Sequence, residues 1–87
     1  MPRFYFNVHE EGQRVEDENG KDLPDAHAAE QQAIVDALAV ARDLFTTRRA
    51  NEVTVEVRDD QKSRIFMVAL TMRAEQVGLA DGFVPAN

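Results

Sequence analysis

The stretch that most constrains the fold runs from Asp25 to about Phe45 and reads as a single amphipathic helix. Pro24 blocks extension backwards, and Asp25 is a good N-cap whose carboxylate can accept a backbone N–H from the first turn. Ala26, Ala28, Ala29, Ala33, Ala37, Ala39 and Ala41 are strong helix formers, and neither Gly nor Pro interrupts the run. At about 100° per residue, Ala26, Ala29, Ala33, Ile34, Ala37, Leu38, Val40, Ala41, Leu44 and Phe45 fall within half of the circumference. His27, Gln31, Gln32, Asp36, Arg42 and Asp43 fill the rest. Glu30 projects into the apolar arc, where an unpaired carboxylate is costly, so it is expected to reach water or an Arg. Such a helix spans roughly 30 Å and can cross a small sheet diagonally.

On either side of it the sequence reads as strands and turns. Phe4, Phe6 and Val8 alternate with Arg3, Tyr5, Asn7 and His9, the mark of a strand with one buried face. Glu10-Glu11-Gly12-Gln13 supplies a hairpin turn with Gly12 free to take positive φ, and Arg14 to Asp17 makes a short polar strand suited to a sheet edge. After the helix, residues 46–51 form a polar connection. Val53, Val55 and Val57 then alternate with Thr54, Glu56 and Arg58 in the clearest strand of the chain. Asp59 to Ser63 turn the chain into a fourth strand, Arg64 to Met72, apolar on both sides: Phe66, Val68, Leu70 and Met72 on one, Ile65, Met67 and Ala69 on the other.

The expected architecture is therefore α+β: four antiparallel strands in the order strand, strand, helix, strand, strand, with the helix packed on one face. A right-handed crossover that skips the first strand gives the order 2-1-3-4. Residues 1–72 form the single domain. Residues 73–87, with Gly78, Gly82 and Pro85, are expected to be an irregular or partly mobile tail. The core should unite Phe4, Phe6, Val8, Val53, Val55 and Val57 with Ala33, Ala37, Ala41 and Leu44.

The opening Met1-Pro2-Arg3-Phe4-Tyr5-Phe6-Asn7-Val8, followed by Asp17-Glu18-Asn19-Gly20 ahead of an Ala-rich helix and a Val-rich hairpin, resembles a family of small alphaproteobacterial proteins of unknown function. Proteins of that family open with Met-Pro-Arg and an aromatic triplet and place an Asp-x-x-Gly turn before the helix. The resemblance covers roughly residues 1–72. It implies a context and a fold, and no catalytic residue comes with it.

Composition narrows the chemistry. Cysteine is absent from the 87 residues, which excludes disulfides, thiolate metal sites and Cys nucleophiles and fits a cytoplasmic protein. No apolar run approaches the ~20 residues a membrane span needs. The net charge of −6 is concentrated early, with eight acids against three bases in residues 1–30, and such a surface repels nucleic acid and anionic membranes. His9 and His27 are the only imidazoles, too far apart in sequence for a zinc motif, and His9 reads as a solvated strand-end residue. Aligning Gly20 with the invariant glycine of a calcium loop puts Val15 and Ala26 where carboxylates are required, so the match fails. Ser63, the only serine, has no nucleophile-elbow context. Neither a cofactor nor a metal nor an enzymatic activity is expected.

One helix covers only one face of a sheet. The other face is expected to carry Tyr5 with either Ile65, Met67 and Ala69, the candidate interface, or Phe66, Val68 and Leu70, an apolar patch of the kind that marks contacts. This points to a non-enzymatic interaction or structural module, self-associating as a homodimer through the open face. The alternative is a nucleic-acid-associated, antitoxin-like regulator that uses a local basic patch of Arg48, Arg49, Arg58 and Arg64. Arg48 and Arg49 also suit the C-terminal end of the helix dipole without any ligand.

Overall fold

The computed structural model describes residues 1–78. Strand β1 (Arg3–Glu10) is followed by two short strands, β2 (Gln13–Val15) and β3 (Lys21–Asp22). Helix α1 (Ala26–Thr46) comes next, then β4 (Glu52–Arg58) and β5 (Arg64–Thr71). All pairings are antiparallel, and the sheet runs β2-β1-β4-β5 with β3 paired to β1 alone. The class is α+β, but the sheet has five strands where four were expected. The added strand changes the order along one edge.

That edge has a physical cause. Val15 lies opposite Val8, and Lys21 opposite Phe4, so five residues, 16–20, face only three, 5–7. The backbone cannot hold a ladder over that interval, and the Asp17 side chain takes its place. Its carboxylate accepts the Phe6 N–H at 3.1 Å, and also those of Asn19 at 3.1 Å and Gly20 at 3.0 Å. The polar strand expected over 14–17 is thus confined to Gln13–Val15, and beyond the Asp-anchored bulge the chain returns to β1 as the additional strand β3. The turn joining β1 to β2 has positive φ at both Glu11 (45°) and Gly12 (77°), the twist a two-residue hairpin requires.

Helix α1 begins as its sequence dictates. Asp25 is extended, and its carboxylate accepts the Ala28 N–H at 2.9 Å. At the other end Arg48 adopts positive φ (56°). Its N–H donates to the Phe45 carbonyl while that of Arg49 donates to the Leu44 carbonyl, the paired closure of a Schellman motif. The Thr46 and Thr47 hydroxyls donate to the carbonyls of Arg42 and Asp43, one turn back in the helix.

Ala29, Ala33, Ala37, Ala41 and Leu44 form the buried stripe of α1 and lie mainly over β4 and β5. They meet Phe4, Phe6, Val53, Val55 and Val57, with Val8, Phe66, Val68 and Leu70 half-buried at the margin. Ile34 and Leu38, expected within the buried arc, are 41% and 54% exposed. The small alanines let the helix axis approach the sheet so closely that only a narrow stripe makes contact. Residues at about 100° or more from Ala33 overhang the flank. Glu30 is exposed to water. Residues 73–78 contain no helix or strand, and Val77 is exposed. Of the tail expected to be irregular or partly mobile, residues 79–87 lie outside the described residues.

Candidate functional site

Cross-strand register decides what the uncovered face presents. Val53, Val55 and Val57 point to α1, so their neighbours Thr54, Glu56 and Arg58 point away from it. Beside them stand their partners His9, Asn7 and Tyr5 on β1, and Ala69, Met67 and Arg64 on β5. The face is mostly polar, and its centre is a carboxylate. Glu56 is 2% exposed although, among the described residues, no helix lies over it.

What buries Glu56 is its own set of partners. Arg58 donates from Nε at 2.8 Å and from Nη2 at 3.2 Å, and Arg64 donates from Nε at 2.7 Å. The Asn7 carboxamide donates at 3.2 Å, and an Arg14 guanidinium nitrogen lies 3.5 Å away. Arg58, with Asn7 and Arg64 adding to it, overcomes the cost of burial and holds the Glu56 carboxyl down at about 2. The same hydrogen bond raises the Arg58 guanidinium above its ordinary value. The Asn7 Oδ1 in turn accepts the Asp17 N–H at 2.9 Å, so one side chain couples the edge bulge to the central carboxylate.

Beside this knot lies a groove of about 530 Å³. Tyr5 and Arg58 line it together with Arg14, Lys62, Asp17 and Glu18. Gly20 sits against Arg3 and Tyr5 with φ of 73°. Arg3 forks onto Asp22 at 2.9 and 3.2 Å, which pins β3 to β1. Such a groove offers cations and anions side by side. A carboxyl held near 2 is too weak a base to take a proton at neutral pH, so Glu56 is not suited to general-base work.

The residues expected at an interface divide. Tyr5 is half-buried on the open face, Ala69 is exposed there, and Met67 is 50% exposed. Ile65 does not join them. Val57 pairs with Phe66 and Arg58 with Arg64, so Ile65 is the extra residue of a bulge and packs against the core cluster. The expected basic patch is not one patch either. Arg58 and Arg64 are committed to Glu56, whereas Arg48 and Arg49 close α1 before the other end of β4, roughly 20 Å away along that strand. His9, read as solvated, is half-buried, and its Nε2 is enclosed without a hydrogen-bond partner.

In the sequence Glu56 is only one of three residues that alternate with the valines of β4. The available signal was Arg58 two positions on, with Arg64 across the hairpin. Only the register, which places Asn7 opposite Glu56, turns that signal into a site.

A family model described as a domain of unknown function, DUF6894, matches residues 3–71. The chain belongs to this family. The match runs from the start of β1 to the end of β5, so the DUF6894 domain is the whole sheet with its helix. No curated protein and no solved structure matches the chain. Among the described residues of this DUF6894 domain, no helix is long and apolar enough to cross a membrane.

Proposed function

We propose that this domain is a small non-enzymatic interaction module that self-associates, with the open face of its sheet as the working surface. The observation that carries this reading is the uncovered face itself. Met67 and Ala69 stand exposed on the same face as a charged groove, and Glu56, buried at the centre of that face, is tied up by its neighbours. A surface with both charge signs and a few apolar side chains suits a folded protein partner better than a polyanion. The alternative of nucleic-acid contact through Arg48, Arg49, Arg58 and Arg64 is weakened because these four do not share a surface. A cytoplasmic setting in an alphaproteobacterium belongs to the same proposal and rests on the opening Met1-Pro2-Arg3 and the cysteine-free sequence.

Light scattering from micromolar to millimolar concentration tests the reading. A mass that rises with concentration supports it, whereas a monomer throughout, with open-face amide resonances that do not move, overturns it.

A further inference from the structure

The two edges of the sheet are built differently. The β2/β3 edge is short, broken by the Asp17 bulge and lined with Arg14, Glu16, Lys21 and Asp22, the devices by which a sheet refuses further strands. The β5 edge has none of these along its middle. It runs eight residues, and between Arg64 and Arg73 it contains no charge, no Pro and no Gly.

The direction of its backbone groups follows from register. The Phe6 N–H points to Asp17, hence even-numbered residues of β1 face the β2/β3 side and Tyr5, Asn7 and His9 bond to β4. Thr54, Glu56 and Arg58 are thereby committed to β1, which leaves Val53, Val55 and Val57 to bond Leu70, Val68 and Phe66. The Met72 N–H, 2.8 Å from the Asn51 carbonyl, continues the same alternation. The N–H and C=O groups of Met67, Ala69 and Thr71 therefore point outward, and among the described residues nothing pairs with them.

The helix adds a second layer on the same side. Gln32 Oε1 accepts from Lys21 Nζ at 3.2 Å, so that flank of α1 faces the β3 edge. Ile34 and Leu38 lie on the opposite flank, over β5, and both are exposed. Half-buried Phe66, Val68 and Leu70 fill the space between helix and strand. An apolar shelf thus flanks the edge that carries the unpaired backbone groups.

We propose that the β5 edge is the site of self-association. A second copy adds its own β5 antiparallel about a two-fold axis near Val68, and Ile34 and Leu38 pack against their equivalents. The inference rests on the self-associating reading above but places the contact between copies at the sheet edge, which leaves the open face as a surface that the dimer presents. An antiparallel strand edge is its own complement, and an axis near Val68 sets Met67 opposite Ala69 of the second copy and keeps the two Arg64 side chains at opposite ends. Because the β2/β3 edge is blunted, each chain has one edge to offer. Pairing closes at a dimer and does not propagate into a fibre. Met67 and Ala69 then form the middle of an open face continuous across both copies.

Amide hydrogen exchange of the full chain across concentration, with light scattering alongside, separates the possibilities. The expected result is dimerisation accompanied by protection of the Met67, Ala69 and Thr71 amides, which exchange freely at low concentration. Ala69→Pro removes an outward N–H and leaves the β4 ladder intact. The Ile34→Glu/Leu38→Glu pair charges the exposed shelf without touching the core, so it decides the matter if the proline variant does not fold. Each is expected to raise the dimer dissociation constant at least about tenfold. A dimer that withstands both folded variants, yet is lost on Tyr5→Lys, overturns the edge and leaves self-association through the face standing. A monomer at every concentration overturns both. Protection of the three amides in a monomer gives the edge to another segment of the same chain and also overturns the proposal.

Discussion

The Asn7 carboxamide and the Glu56 carboxylate face one another across the β1–β4 pair, 3.2 Å apart, in the middle of the sheet face opposite α1. Asn7 reads both directions, donating to Glu56 and accepting from the Asp17 backbone. A change at Glu56 should thus reach the edge bulge. Glu56→Ala leaves Arg58 and Arg64 without their counter-charge and is expected to cost on the order of 3 kcal/mol. Glu56→Gln, which keeps one acceptor, should cost about 2 kcal/mol. Urea unfolding measures both, and losses below half a kcal/mol would show that the knot contributes no net stability.

The same carboxylate predicts an acid dependence. Its folded-state pKa of about 2 lies below the ordinary value of 4.5, so the unfolded chain binds its proton first as pH falls. The Glu56 contribution is complete above about pH 4.5 and is lost as pH drops toward 2. Urea midpoints of the parent should fall more steeply through that window than those of Glu56→Gln. Parallel curves would remove Glu56 as the source.

Gly20 carries a separate prediction. A Cβ there would come within 2.8 to 2.9 Å of Arg3 and Tyr5 side-chain carbons, and φ is 73°. Left-handed backbone costs an alanine about 1 kcal/mol, and displacing Arg3 loosens its fork on Asp22. Gly20→Ala is expected to lose roughly 2 kcal/mol in thermal unfolding, and a melting temperature equal to the parent's would show that Arg3 and Tyr5 yield freely.

How far the sequence could be read follows from where each signal resides. The helix start was legible because Pro24 and Asp25 act locally. β1, β4 and β5 were legible because their apolar alternation needs no partner to be recognised. The split of β2 from β3 was hidden, since it depends on the Asp17 side chain replacing a backbone partner on β1. Ile65 alone departs from the expected alternation of β5, because it is the extra residue of a bulge that no sequence pattern marks, while Met67 and Ala69 keep their side. Arg58 and Arg64 read as free cations because the acid they serve, Glu56, is brought to Arg64 only by the hairpin. Ile34 and Leu38 fall on the apolar half of the helical wheel, and only the closeness of the alanine stripe to the sheet puts them outside the contact.

Arg48 offers a stabilising change. It occupies the left-handed position that ends α1, where glycine has no Cβ penalty, and it is exposed. Arg48→Gly should raise stability by about 0.5 to 1 kcal/mol, visible as a higher melting temperature. A decrease would mean that the Arg48 side chain makes a contribution larger than the strain it incurs.

The closest approach of helix to sheet is set by alanine, and Ala37 lies at its centre, fully buried among Phe4, Phe6, Val55 and Val57 in one cluster. Ala37→Leu adds three carbons where no space exists, and the helix must lift or tilt. Overpacking of this kind costs roughly 1–3 kcal/mol. Lifting α1 would also shift Ile34 and Leu38 relative to β5. Any self-association that uses their shelf should then weaken along with stability, whereas Ala39→Leu on the exposed side of the same helix should disturb neither. Chemical denaturation and light scattering on the two variants measure the pair of effects. Equal stability of Ala37→Leu and the parent would mean that the helix has room to move, and that the exposure of Ile34 and Leu38 is not imposed by the alanine stripe.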